Sequence, residues 1–244
     1  MRFKMKIEYD GTNFYGWQVQ KGFRTVQGVL DEVIKKLLLS KKLLQGASRT
    51  DRGVHAIGQV AHFDAPARIF KERFNRDTES LRKAINALLP RDIYIRELEV
   101  VSDKFHARRD AKLKIYRYTI LLGRSPLESR YAWEINFNIN YKLFYKMCKL
   151  IMIERDFSPF SPLPEGRGII KIENSFAKRE GNKIFLYFAA RRFLNKMVRS
   201  IVGQMVYFSS RNDLDGFKRV IENGPETLII APPQGLCLID VLYD

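Results

Sequence analysis

The chain has 244 residues, of which 45% are hydrophobic and 29% are charged, a balance that excludes disorder over most of its length. Its length suits one large domain or two small ones. The formal net charge of +16 divides into +8 over residues 1–110 and +8 over residues 111–244, which favours a nucleic acid or an anionic membrane as partner, although a lysine-rich, heat-adapted surface would also account for it.

The first half of the chain predicts the element order β-α-β-β-α-β. Alternating side chains over residues 3–9, before the turn Asp10–Gly11–Thr12, predict a strand. Apolar residues at helical spacing predict a helix from Thr25, a plausible N-cap, to Leu39. The remaining predictions are strands at 43–47 and 59–63, a helix at 78–88 that stops near Pro90, and a strand at 93–101.

The second half predicts the same order with one additional short helix. The predicted strands are 112–122, 169–178, 183–190 and 235–243, and the predicted helices are 141–153, 193–208 and 214–222. The repeat is architectural, because the two halves share no obvious sequence identity. We therefore expect an α+β protein of two ferredoxin-like (βαββαβ) subdomains, residues 1–107 and 108–244, whose antiparallel sheets combine around a central RNA-binding cleft.

Residues 154–168 fit neither repeat. Their three prolines, two serines and two glycines predict a loop inserted into the second subdomain. A loop of this length is either functional, as a lid or a binding arm, or a disordered insertion.

Several classes of site and location are disfavoured. No apolar run approaches the roughly 20 residues that span a bilayer, and the first ten residues lack the apolar block of a signal peptide. Cys148 and Cys237 are predicted to be small core residues in a reducing cytoplasm. His55, His62 and His106 are too scattered in the sequence to predict a zinc site.

The strongest local signal is the stretch of residues 46–56. Asp51 lies between Arg49 and Arg52, whose charge would keep the carboxylate ionised and in position, and Gly53 permits unusual backbone angles. From the residues alone, this stretch is either a tight turn or a phosphate cradle, although it lacks the glycine-rich, lysine-containing pattern of a P-loop.

Residues 49–56, RTDRGVHA, resemble the catalytic motif of the TruA-type tRNA pseudouridine synthases. Further segments resemble the same family in the same order along the chain. They are residues 7–12 (IEYDGT), 14–18 (FYGWQ), 25–27 (TVQ), 86–90 (NALLP), 105–108 (FHAR), 114–118 (KIYRY), 197–203 (MVRSIVG) and 235–241 (GLCLIDV). The resemblance therefore covers nearly the whole chain.

The resemblance implies a role for individual residues. Asp51 matches the catalytic aspartate, Tyr116 the aromatic residue placed against the target uracil, and Arg199 the basic residue that pairs with the aspartate. Arg49 matches the arginine that helps to extrude the base, and Leu238 lies in a strand that lines the pocket. The chain departs from the family pattern at Arg52, usually a small residue, and at Arg191–Arg192, where the family more often carries less charge.

The resemblance also implies the activity and its partners. A homodimer in the cytoplasm would bind the anticodon stem-loop of tRNA and isomerise uridine to pseudouridine at positions 38, 39 and 40, with no cofactor, metal or membrane. Asp51 would act as nucleophile or as proton acceptor, and the sequence leaves both open. Basic residues around the site would contact the tRNA backbone. These are Arg52, Arg108, Arg109, Lys112, Lys114, Arg191, Arg192 and Lys196.

Two other classes of function compete with this one. A non-catalytic RNA-binding protein would account for the charge and the repeated architecture, but the sequence has no match to the RNP-type strand. A metal-dependent nuclease would need several carboxylates, and no other acidic residue lies within ten residues of Asp51.

Overall fold

Ten strands and six α-helices lie in residues 1–40, 43–163 and 168–243, the residues described by a computed structural model. The strands are β1 (Arg2–Tyr9), β2 (Gln45–Gly46), β3 (His55–Asp64), β4 (Ile93–Val101), β5 (Leu113–Leu122), β6 (Trp133–Ile135), β7 (Glu154–Asp156), β8 (Ile169–Glu180), β9 (Lys183–Ala190) and β10 (Leu236–Leu242). The helices are α1 (Val26–Leu38), α2 (Ala67–Phe74), α3 (Thr78–Leu88), α4 (Lys142–Leu150), α5 (Met197–Ser210) and α6 (Leu214–Asn223).

The chain divides by its contacts into two compact units. Unit 1 comprises Met1–Lys112 together with Leu238–Asp244, and unit 2 comprises Leu113–Cys237. Residues 238–243 thus belong to unit 1, although all of unit 2 precedes them in the chain. The two predicted subdomains, 1–107 and 108–244, stay a prediction.

In unit 1 the strands follow the order β4-β1-β3, with β2 and the end of β10 also bonded to β3. The pairs β1–β4, β1–β3 and β2–β3 are antiparallel. Phe3, Met5 and Ile7 alternate along β1 and are fully buried, as the period of a strand with one covered face requires. Because β2 and β3 are neighbours, they fix both ends of the loop that carries Asp51.

In unit 2 the order is β5-β9-β8-β7, with antiparallel pairs, and the short β6 runs parallel to β5. Tyr116 on β5 lies opposite Phe188 on β9. Leu186 and Phe188 are buried on the same face of β9, and they form the core of this unit with residues such as Phe144 and Phe217. None of the six helices in the described parts of the chain is long and apolar enough to cross a membrane.

Where the sequence pattern is strong, the predicted elements are confirmed. Helix α3 and strand β4 have the predicted bounds. Helix α1 begins where expected, because the Thr25 hydroxyl accepts a hydrogen bond from the Gly28 N–H at 3.3 Å and caps the helix. The predicted hairpin around residues 180–182 is also present, as β8 and β9.

Other predictions were wrong in their bounds or missed an element. Helix α2 was missed because only Phe70 is buried in it, so no apolar period marks it. Helix α5 begins at Met197 and not at residue 193, because Lys196 at its N-cap has a φ of 56°, outside the right-handed helical region. Helix α4 ends at Leu150 and not at residue 153. Strand β6 was not predicted.

The prediction of a loop over residues 154–168 was wrong in part. Residues 154–156 form β7, which pairs with β8, and a 3-10 turn follows at Ser158–Phe160. Phe157 and Phe160 are both fully buried. A disordered insertion is therefore the wrong interpretation of residues 154–163, while residues 164–167 lie outside the described residues.

Candidate functional site

Asp51 is half-buried on the segment of residues 47–54 that joins β2 to β3, called here the Asp51 loop. Two backbone hydrogen bonds hold this loop against residues 14–17. The Trp17 N–H donates to the Thr50 carbonyl at 3.0 Å, and the Gly53 N–H donates to the Phe14 carbonyl at 3.3 Å. The backbone on both sides of Asp51 is therefore fixed.

Gly16 makes this close approach possible. Its φ is +89°, and a Cβ at this position would lie 2.6 Å from the Thr50 carbonyl oxygen and 3.1 Å from the Asp51 carbonyl carbon. Only glycine combines this backbone angle with the absence of a side chain. The glycine of the FYGWQ segment therefore allows the Asp51 loop to pack directly against the backbone of that segment.

Buried polar side chains hold the loop at two further points. The hydroxyls of Tyr9 and Thr50 share a hydrogen bond of 2.7 Å. The Gln59 side chain donates to the Ser48 carbonyl at 2.7 Å and accepts from the Ser48 N–H at 3.2 Å. Such buried, satisfied bonds give the loop one conformation. The backbone that carries the acidic and basic side chains of the loop is thus held in place.

Basic residues lie close to Asp51 on both sides in the sequence. Arg49 and Arg52 are both exposed. The Arg52 guanidinium lies 4.2 Å from the centre of the Tyr15 ring, a cation–π contact that the sequence did not indicate. The Asp51 loop therefore carries a half-buried carboxylate and two exposed arginines on a backbone that hydrogen bonds hold in place.

A second basic group of unit 1 lies on the turn of residues 105–110, where Arg108 and Arg109 are exposed. His62 of β3 holds this turn, because its Nδ1 accepts a hydrogen bond from the Ala107 N–H at 3.1 Å. The His62 and His106 rings are 4.8 Å apart, so two histidines that seemed scattered in the sequence are neighbours. Burial, with further cationic neighbours, lowers the pKa of His62 to about 4.

Two neighbouring histidines suggest a metal site, but the contacts of His62 and His106 are those of structural residues. Each uses Nδ1 to accept backbone N–H groups, which is a structural role. Across the described ranges, no three His, Cys, Asp or Glu side chains are grouped so that they could hold a metal ion.

In unit 2, Tyr116 lies on β5 with its side chain buried. Its ring makes an edge-to-face contact with Phe193, with ring centres 5.2 Å apart. Phe193 directly follows Arg191 and Arg192, which are exposed. Phe193, which the sequence did not single out, therefore joins Tyr116 to the chain segment that carries these two basic residues.

Arg199 lies in the first turn of α5. Its Nε donates to the Ala231 carbonyl at 2.8 Å. The next carbonyl, of Pro232, accepts a hydrogen bond of 2.7 Å from the Tyr118 hydroxyl, and burial raises the pKa of that tyrosine. Tyr118 lies two residues from Tyr116 on the same face of β5, which is the one signal that could have identified it.

The other predicted residues differ in exposure. Lys112 is exposed, Lys196 is half-buried, and Lys114 is only 7% exposed. Contact with tRNA phosphates needs an accessible ammonium group, so the burial of Lys114 counts against that role. Leu238 is fully buried in β10, as a pocket-lining or core residue would be.

Comparison with known proteins gives a consistent result. The family described as tRNA pseudouridine synthase matches residues 5–110 and 154–244. Proteins named tRNA pseudouridine synthase A are 33% identical in Thermodesulfovibrio yellowstonii, covering all of both chains, and 37% identical in Thermoanaerobacter sp. (strain X514), covering 97% of both. The protein named tRNA pseudouridine synthase A 2 in Clostridium perfringens is 36% identical over 98% of both chains.

A solved structure, a Cbf5-Nop10-Gar1 complex, matches with a TM-score of 0.35 and 12% identity, over 84% of this chain and 54% of that chain. This structural similarity is too low to support a conclusion, whereas the sequence matches extend over nearly the full length.

Proposed function

Because the chain belongs to the tRNA pseudouridine synthase family, and is thus an isomerase that acts on tRNA, we propose that it modifies uridines 38, 39 and 40 of the anticodon arm with Asp51 as the reacting carboxylate. The ordered motifs that resemble the TruA type support this choice of substrate. Activity at three adjacent positions fits recognition of RNA shape more than of base edges.

The reaction breaks one bond and forms another without net change in composition. The bond from the ribose to N1 of uracil breaks, the detached base turns, and the ribose joins C5, which loses a proton while N1 gains one. A carboxylate serves this sequence either as nucleophile toward the sugar or as acceptor of a sugar proton. Asp51 is proposed for that role, with both routes open.

The observation that carries the proposal is the way in which the Asp51 loop is held. The hydrogen bonds from the Trp17 N–H to Thr50 and from the Gly53 N–H to Phe14, with the close approach of Gly16, fix the backbone around the carboxylate. Catalysis depends on such preorganisation, because a reacting group that must first be ordered loses much of its advantage. Gly16, Thr50 and Gly53 therefore serve the proposed reaction by keeping the Asp51 backbone in one position.

Other residues take their roles from the resemblance. Tyr116 is proposed to cover the target uracil, since a base that leaves its stack regains part of that energy on an aromatic ring. Arg199 is proposed as the basic partner of the catalytic aspartate, Arg49 as the residue that helps to extrude the base, and Leu238 as a pocket wall. The hydrogen bond from Arg199 to Ala231 supports a fixed guanidinium.

The exposed basic residues are proposed to hold the tRNA backbone. Such contacts supply affinity and position without base specificity. On the accessibility described above, the residues assigned to this role are the exposed Arg52, Arg108, Arg109, Lys112, Arg191 and Arg192 and the half-buried Lys196.

Two ferredoxin-like subdomains, a homodimer and a cytoplasmic location also stay part of the proposal. The strand order β4-β1-β3-β2 in unit 1 and the order β5-β9-β8 in unit 2 support the first of these. Family membership decides against the two competing classes, a non-catalytic RNA-binding protein and a nuclease.

The test is Asp51→Asn, which keeps the shape of the side chain but is neither a good nucleophile nor a base. Turnover should fall by roughly a thousandfold or more, as for other removed nucleophiles, while tRNA affinity and the unfolding curve stay near wild type. Pseudouridine in an unmodified tRNA transcript is located by sequencing, and tRNA affinity is measured on the same preparation.

The matched control is Asp103→Asn, which removes an exposed carboxylate from the same unit. It should leave turnover unchanged. Near-wild-type turnover in Asp51→Asn would remove Asp51 from the chemistry, and pseudouridine found only outside the anticodon arm would refute the proposed substrate position.

A further inference from the structure

Three neighbouring side chains, one of them from the Asp51 loop, form a partly exposed group. The Tyr15 ring lies 4.2 Å from the Arg52 guanidinium and 4.4 Å from the centre of the Phe23 ring. Arg52 is exposed, and Phe23 is 49% exposed. We call Arg52, Tyr15 and Phe23 the aromatic–arginine cluster.

The cluster is built on a fixed backbone. The Tyr15 N–H donates to the Arg24 carbonyl at 2.9 Å, and the Phe23 N–H donates to the Gln20 carbonyl at 3.2 Å. The Gln20 side chain donates in turn to the Tyr15 carbonyl at 3.0 Å. Since Gly16 packs on the backbone of residues 50–52, the distance between the cluster and Asp51 is also fixed.

These residues have the chemistry of a stacking site for an unpaired nucleobase. Aromatic rings and planar arginine side chains are the groups on which proteins stack single-stranded bases. Each of the three presents one of these groups, and each is accessible in part. A phosphate contact would need only the charge of Arg52, so it would not explain why the guanidinium is held over the half-buried Tyr15 ring, with the exposed Phe23 ring next to it.

We propose that the aromatic–arginine cluster stacks against the base that neighbours the target uridine in tRNA. When the target uridine leaves its stack, the adjacent base loses a partner, and a flat surface beside the reacting group can replace it. Asp51 marks the place of the target uridine, so this inference rests on the proposed function. It also changes the role of Arg52 from a backbone contact to a base contact.

The test combines a protein change with a change in the RNA. Arg52→Lys keeps the positive charge but removes the planar group. The RNA is a tRNA transcript in which the nucleotide 5′ or 3′ to the modified uridine is abasic. In wild type, one of the two abasic RNAs should bind about 5- to 150-fold more weakly than the intact RNA.

The combination gives the decisive result. Arg52→Lys should weaken binding of the intact RNA by a similar factor. It should bind the abasic RNA no more weakly than wild type does, because the protein change and the RNA change remove the same contact. The matched control is Arg68→Lys, an exposed arginine of the same unit paired with Glu72, which should leave both affinities unchanged.

Several outcomes would overturn the inference. If Arg52→Lys binds the intact RNA like wild type, or if the two changes add independently, the side chain contributes charge and not stacking. If wild type binds both abasic RNAs as well as intact RNA, no neighbouring base is held. If the chain still makes pseudouridine in the intact tRNA, these results refute the stacking site alone, whereas a failure of the proposed function would show as absent turnover at the predicted uridines.

Discussion

The Asp51 loop and the segment of residues 154–163 are both rich in polar and turn-forming residues, yet different groups anchor them. The Asp51 loop is fixed by hydrogen bonds of its backbone to residues 14–17 and to the buried side chain of Gln59. The segment 154–163 also pairs with β8 through residues 154–156, but two of its own side chains, Phe157 and Phe160, anchor it by being fully buried.

The difference teaches what each kind of anchoring allows. A loop fixed through its backbone keeps its side chains available for a substrate, as Arg49 and Arg52 are on the surface. A segment fixed through its side chains has those side chains buried in the core, where a substrate cannot reach them, and the buried apolar area stabilises it. Loop-like composition therefore does not show whether a segment is ordered. The contacts that anchor the segment show it.

The largest expected effect comes from removing one apolar anchor. Phe160→Ala should reduce the free energy of unfolding by about 3–5 kcal/mol, because it leaves a cavity in the core. Leu163→Ala, at a nearby position that is 62% exposed, is the control and should change it by less than about 0.5 kcal/mol. Urea denaturation measures both, and equal small effects would show that the segment is not anchored.

A smaller effect is expected from disturbing the backbone anchor. Gly16→Ala should cost about 2–3 kcal/mol, through its φ of +89° and the overlap with the Thr50 carbonyl, and it should also reduce turnover because it displaces the backbone around Asp51.

Gly22→Ala is the matched control for this substitution. Gly22 has a φ of +82°, but nothing lies within 4 Å of an added Cβ, so only the conformational cost of about 1 kcal/mol remains. Turnover should be normal. Equal losses of turnover in the two variants would contradict the idea that Gly16 shapes the site.

The smallest expected effect on the free energy of unfolding concerns the turn of residues 105–110, which is held by the hydrogen bond from the Ala107 N–H to His62. The pKa of His62 is about 4 in the folded chain against 6.5 as its ordinary value, so on acidification the unfolded chain takes up the proton first. The neutral His62 therefore makes its full contribution to the free energy of unfolding above pH 6.5, and this contribution decreases as the pH falls toward 4. Between pH 7 and pH 5 this group should account for a loss of about 1–2 kcal/mol.

The matched variant is His62→Asn, whose side-chain oxygen can accept the same N–H but does not titrate. Urea denaturation at several pH values should show a shallower decline for this variant than for wild type. Parallel curves would mean that His62 does not cause the decline.

The sequence predicted most of the fold because periodic apolar patterns mark helices and strands that bury one face. It missed α2, where only Phe70 is buried, and the anchors Phe157 and Phe160, because an apolar residue among prolines has no period. Asp51 was predicted from its motif, and its role stays a proposal. Tyr15 and Phe193 could not be found, since their importance arises from contacts with residues distant in the chain.

The placement of residues 238–243 in unit 1 has a consequence for how the protein is made. The ribosome completes residues 1–112 well before it adds the strand that lies against β3, where a Cβ on Gly58 would come within 2.3 Å of the Ile239 carbonyl oxygen. Unit 1 therefore cannot be finished during synthesis until unit 2 has been translated, and its last pairing closes a very long loop. A premature stop codon just before residue 238 would therefore remove this strand and damage the unit that carries Asp51, although almost two hundred residues separate the two in the chain.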